Sequence, residues 1–125
     1  MERIMEIEIA GTKYPLNFSV KAAKEVSKKY GDVSKIADAL SEKNVADTMG
    51  ELIWLLALLI DQGVAYKKIV DKEEVKGASE EELEVIMNGS DFLGLNEILV
   101  NAMTIGMTQE VEITPDPNDE TTQNK

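Results

Sequence analysis

The chain has 125 residues, 43% hydrophobic and 30% charged, a composition that folds and stays in solution instead of remaining disordered. Asp and Glu outnumber Lys and Arg by 24 to 13; the net charge of −11 argues against nucleic acid and anionic membranes as partners and favours basic protein surfaces. With no cysteine and no histidine, the chain excludes disulfides, thiolate nucleophiles, Ser-His-Asp triads and His-ligated metal sites.

The elements follow in chain order. Met5, Ile7 and Ile9 alternate with Glu6 and Glu8, the period-2 signature of a half-buried strand. "AGTK" supplies a glycine turn, after which Tyr14, Leu16 and Phe18 alternate on a second strand that Pro15 marks as an edge. Residues 3–18 are therefore a β-hairpin, and two strands alone need a helical surface to lean on. Ser19 is placed to cap a helix with Val20, Ala23, Val26 and Tyr30 on one face and Gly31 at its end. Asp32 can cap a short second helix carrying Val33, Ile36, Ala37 and Leu40.

Asn44 caps a third helix running to Gly63, and this helix holds "LIWLLALLI" at 52–60. Nine apolar residues fall short of the roughly 20 that span a bilayer, and Asp47, Glu51 and Asp61 bracket them. Neither this stretch nor the acidic start "MERIMEIEIAGTKY" reads as a membrane or signal segment, so the expected location is the cytoplasm. At 100° per residue, Val45, Met49, Leu52, Ile53, Leu56, Leu59 and Ile60 form a broad core stripe. Asp47, Glu51, Asp61 and Gln62 gather opposite, with Trp54 and Leu58 among them and Leu55 at their edge. Two readings of these three apolar residues stand: a client or self-association surface anchored by Trp54, or plain core if the helix is central and buried on both sides.

Beyond Gly63, "VAYKKIVDKEEVKG" is helical in propensity and weak in pattern. "SEEELEVIMNG" carries a capping box at Ser79 and Glu82 and an Asn-Gly stop. Ser90 is placed to cap a last long helix with Phe92, Leu95, Leu99, Ala102 and Met103 on one face, ending near Gly106. From Thr108 the chain turns polar, acidic and proline-containing, the composition of a flexible tail. The expected architecture is mainly α: a single domain over 1–107, a small bundle of about five helices with an N-terminal hairpin, and a flexible acidic tail over 108–125.

No phosphate-binding glycine loop is present. "DPNDE" at 116–120 lacks the glycine and distal Glu of a calcium loop, and the glutamates of "SEEELE" read as capping and dipole residues. No catalytic, cofactor or metal residues are assigned, and an enzyme is not expected.

"MEIEIAGTKYPLNFSVKAAKEVSKKYGDVSKIADAL" resembles the opening of tail assembly chaperones of long-tailed, siphovirus-like bacteriophages and prophages. The shared pattern is strand, glycine turn, strand with "YPL", then a helix ending in "YG"; it continues through "LIWLLALLIDQGVAYKKIVDKEEV" and returns at "FLGLNEILVNAMTIGM". The resemblance covers most of residues 5–107 and implies a mostly helical chaperone of the host bacterial cytoplasm, absent from the finished virion. It implies binding to the tape measure protein, with tail tube subunits as further clients, and a tail where a frameshifted extension would attach. The alternatives are a structural virion component, such as a tail-completion or head–tail connector protein, and a non-viral acidic protein-interaction module.

Overall fold

The structure, a computed structural model, describes residues 4–31, 35 and 44–107. They are mostly helical, with an N-terminal antiparallel hairpin, four α-helices and a 3-10 turn. The helix expected near 32–40 and the tail over 108–125 lie outside the described residues.

Strands β1 (Met5–Ile9) and β2 (Thr12–Leu16) pair with Ile7 opposite Tyr14 and Glu8 opposite Lys13. Ala10 (φ 52°) and Gly11 (φ 83°) form the two-residue turn; both are left-handed, as the right-handed twist of a tight hairpin demands. Ile7, Ile9, Tyr14 and Leu16 are buried while Glu6 and Glu8 face out, so the alternation in the sequence is the inside–outside alternation of the strand.

Helix α1 (Val20–Tyr30) starts where the Ser19 hydroxyl accepts from the Ala22 amide at 3.0 Å, and ends at Gly31 (φ 88°), whose N–H donates to the Ser27 carbonyl. Its buried face is Ala22 and Val26, with Ala23 and Tyr30 half-buried. Val20, expected on that face, is 79% exposed, because α1 turns Ala22 inward at its first turn.

Helix α2 (Val45–Val70) is the spine of the fold. Asn44 caps it through the Asp47 amide at 2.8 Å. Its expected stop at Gly63 is overturned: the helix runs one and a half to two turns further, to Val70. Gly63 serves as a point of close approach, where an added Cβ would lie 2.2 Å from the Pro15 carbonyl oxygen. The Asn17 amide donates to the Leu59 carbonyl at 3.0 Å, tying the end of the hairpin to the middle of the helix.

Helix α3 (Glu80–Ile86) has the anticipated capping box, both halves of which form between Ser79 and Glu82. The single long helix expected from Ser90 is also corrected. Asn88 caps a 3-10 turn (Gly89–Phe92), accepting from the Ser90 amide and hydroxyl. Gly94 (φ 80°) then breaks the chain direction before α4 (Leu95–Met107) begins. Leu95, Leu99, Ala102 and Met103 form the buried face of α4, as the spacing anticipates, with Phe92 half-buried. At Gly106 an added Cβ would meet the Phe18 carbonyl oxygen at 2.5 Å, so α2 and α4 both press on the stretch joining the hairpin to α1. The core is continuous across these contacts, with Leu16, Val26, Leu56, Ile60, Leu83 and Leu99 fully buried.

Candidate protein-binding surface

The residues singled out on the apolar block separate into two environments. Leu55 is 2% exposed and belongs to the core. Trp54 and Leu58 are half-buried and pack against its margin. The cause is α1, whose C-terminal end lies over this side of α2. The Tyr30 ring meets Trp54 edge-on, with centroids 6.1 Å apart and planes at 79°. Lys29 places its ammonium 4.8 Å from the Trp54 centroid and 3.7 Å from the Glu51 carboxylate.

Tyr30 completes this cluster by donating its hydroxyl hydrogen bond to Glu51 Oε1. Burial, then that hydrogen bond, then the Glu51 charge hold the phenol well above the usual tyrosine range. The side of α2 that a helical wheel leaves to solvent is thus partly closed by α1.

Gln62, also assigned to the solvent side, is buried at 8% exposure. It accepts from the Ser19 hydroxyl, donates to Asp61 Oδ2 at 3.0 Å, and its backbone carbonyl accepts a long 3.4 Å bond from Asn17 Nδ2. Ser19 therefore does two jobs, accepting from Ala22 as the cap of α1 and donating to Gln62 to lock α1 onto α2.

Two of the grooves formed by the described residues lie elsewhere. One of about 390 Å³ lies between β2 and the approach to α3, lined by Tyr14, Lys76, Ala78, Glu81 and Val85. The other, about 330 Å³, lies between the first half of α2 and the segment joining α3 to the 3-10 turn. Its floor is Ala46, Met49, Ile53, Met87 and Phe92, and Glu84 is its charged rim. Val45 (75% exposed) precedes the floor on α2 and Leu93 (81%) follows Phe92, while Val85 (82%) lines the first groove. Sequence reasoning misses this groove because its two walls are distant in the chain. The available signal is charge: residues 44–66 and 77–107 contain acids but no Lys or Arg.

Helix α2 is long and apolar enough to cross a membrane, with a mean hydropathy of 1.4 in its best 18-residue window, 44% of which is buried in this fold. That burial comes from β2, α1, α3 and α4 packing on it. Among the described residues, no group of three or more Asp, Glu, His or Cys is arranged to hold a metal ion.

No family model matches the chain, and no curated protein and no solved structure matches it.

Proposed function

We propose that this chain is a tail assembly chaperone of a long-tailed bacteriophage or prophage, acting in the host cytoplasm to keep the tape measure protein, and tail tube subunits, soluble during assembly. The observation that carries the reading is exposed apolar surface on a strongly acidic chain. A holdase needs apolar area for its client and charge to stay soluble itself, and here Val45, Val85 and Leu93 stand exposed, and a groove lined by Met49 and Met87 is open, on a chain of net charge −11. The order of elements adds support. A strand, the Ala10–Gly11 turn, a strand bearing "YPL" and a helix ended by Gly31 follow the pattern on which the resemblance rests.

Trp54 and Leu58, half-buried beside α1, contribute their open edges to client contact; Leu55 supports them from the core. The expected fifth helix near 32–40 belongs to the same reading.

The test is coexpression with the tape measure protein, the long helical client whose gene, on this reading, follows the gene of this chain, with the major tail protein gene on the other side. A soluble complex of the two supports the proposal. A client that stays insoluble with no complex overturns it, and recovery of this chain from purified virions transfers it to the structural components of the tail.

A further inference from the structure

We propose that the groove between the first half of α2 and the α3–turn segment is the docking site for an amphipathic helix of a partner protein, one whose apolar face is flanked by lysines or arginines. The inference rests on the client-binding reading and says where and by what chemistry the client is held. Three observations carry it.

The floor is apolar and adaptable. Ala46, Met49 and Ile53 follow helical spacing along about 10–12 Å of α2, the length that one or two turns of a docked helix cover with anchors at i, i+3 or i+4 and i+7. Met49 from α2 and Met87 from the segment after α3 both line it, and unbranched thioether side chains reshape around different apolar anchors.

Among the described residues, the two stretches that line the groove carry one sign of charge. Glu84 is the one charged residue among those lining the groove, and Asp47, Glu80, Asp91 and Glu97 lie on the same two stretches of chain, 44–66 and 77–107, which contain no base; Glu51, on the first of them, is turned to Lys29 and Tyr30. The described bases fall instead at Lys13, on α1, at Lys35 and over residues 67–76. A purely apolar helix would fill the floor and leave the Glu84 carboxylate partly desolvated without a partner, whereas basic flanks supply one.

Charge also selects against the other occupants. A second copy of this chain in a two-fold contact would set acidic rim against acidic rim, and an anionic bilayer is repelled in the same way.

The test uses the full chain and two synthetic amphipathic peptides of roughly three helical turns, one of leucine and lysine and one of leucine and glutamate in the same pattern. Binding is read by fluorescence anisotropy. The lysine peptide is expected to bind at least about tenfold tighter than the glutamate peptide, and to weaken as salt rises. Glu84→Lys, at an exposed rim position, is expected to weaken the lysine peptide about fivefold or more. Met49→Ser is expected to weaken it by a similar factor by removing floor contact. Glu6→Lys makes the same change in net charge on the outer face of β1 and is expected to leave binding unchanged.

Equal binding of the two peptides, or equal loss from Glu6→Lys and Glu84→Lys, overturns the proposal. A dimer in solution that Glu84→Lys tightens, with no peptide binding, gives the groove to a second copy and overturns it too. Peptide capture with no rescue of the tape measure protein overturns the chaperone reading alone. Tape measure binding that survives both groove variants overturns the groove and leaves the chaperone reading standing.

Discussion

Gly63 lies directly over Pro15: a Cβ at residue 63 would sit 2.2 Å from the Pro15 carbonyl oxygen and 2.9 Å from its Cβ. A backbone group cannot yield as the tip of a flexible side chain can. Gly63→Ala is therefore expected to destabilise the chain by about 2–4 kcal/mol, despite the better helix propensity of alanine. Gly50, on the same helix, has open space where its Cβ would be, and Gly50→Ala should stabilise by about 0.5–1 kcal/mol. Urea unfolding of the pair checks this, and two shifts of the same sign would refute the close approach.

Ser19 and Gln62 form a coupled pair. Ser19→Ala removes a helix cap and strands the buried Gln62 amide oxygen, at an expected total cost of about 2 kcal/mol. Gln62→Ala removes the partner and leaves the cap. A double-mutant cycle should give a coupling of about 0.5–1.5 kcal/mol; additive losses would mean the two side chains do not meet in solution.

Tyr30 makes stability sensitive to alkali. Its phenol pKa is raised in the folded state, so its contribution is fully present below the unfolded value near 10 and is lost as pH climbs above that value. The wild-type chain should lose stability above about pH 10 more steeply than Tyr30→Phe. At neutral pH, Tyr30→Phe should cost about 1 kcal/mol for the lost bond to Glu51. Parallel alkaline curves for the two proteins would contradict the arrangement.

Leu55, Trp54 and Leu58 should rank by burial. Leu55→Ala leaves a cavity in the core and is expected to cost about 3 kcal/mol. Trp54→Ser loses the edge-on contact with Tyr30 and the Lys29 contact, at about 2 kcal/mol, and Leu58→Ser should cost about 1 kcal/mol. Thermal or urea unfolding gives the order, and a Leu58→Ser loss equal to that of Leu55→Ala would place Leu58 in the core.

The hairpin was legible because period-2 alternation over Met5–Ile9 has one interpretation once a face is buried. The caps at Ser19, Asn44 and Ser79 were legible because their hydrogen bonds are local, closing within three residues. What depended on neighbours was not. Gly63 looks like a helix stop until Pro15 is known to lie on it, Gln62 looks solvent-facing until Asn17 and Ser19 bond to it, and Leu55, at the edge of the polar side on a wheel, proves to be core. The break at Gly94 is set by a left-handed backbone that an isolated glycine does not announce. The 330 Å³ groove needs α2 beside α3, a pairing that no local pattern encodes.

The bond from Asn17 to the Leu59 carbonyl, with Pro15 seated on Gly63, sets an order of events during synthesis. The hairpin is made before α2, yet an isolated two-stranded hairpin is marginal in water. At roughly 5–20 residues per second, several seconds pass before the helix that shelters it is made. The apolar face of the hairpin, Ile7, Ile9, Tyr14 and Leu16, therefore waits unsheltered until α2 is made, and its own maturation depends on the same kind of apolar shelter from solvent that we propose the chain offers to another.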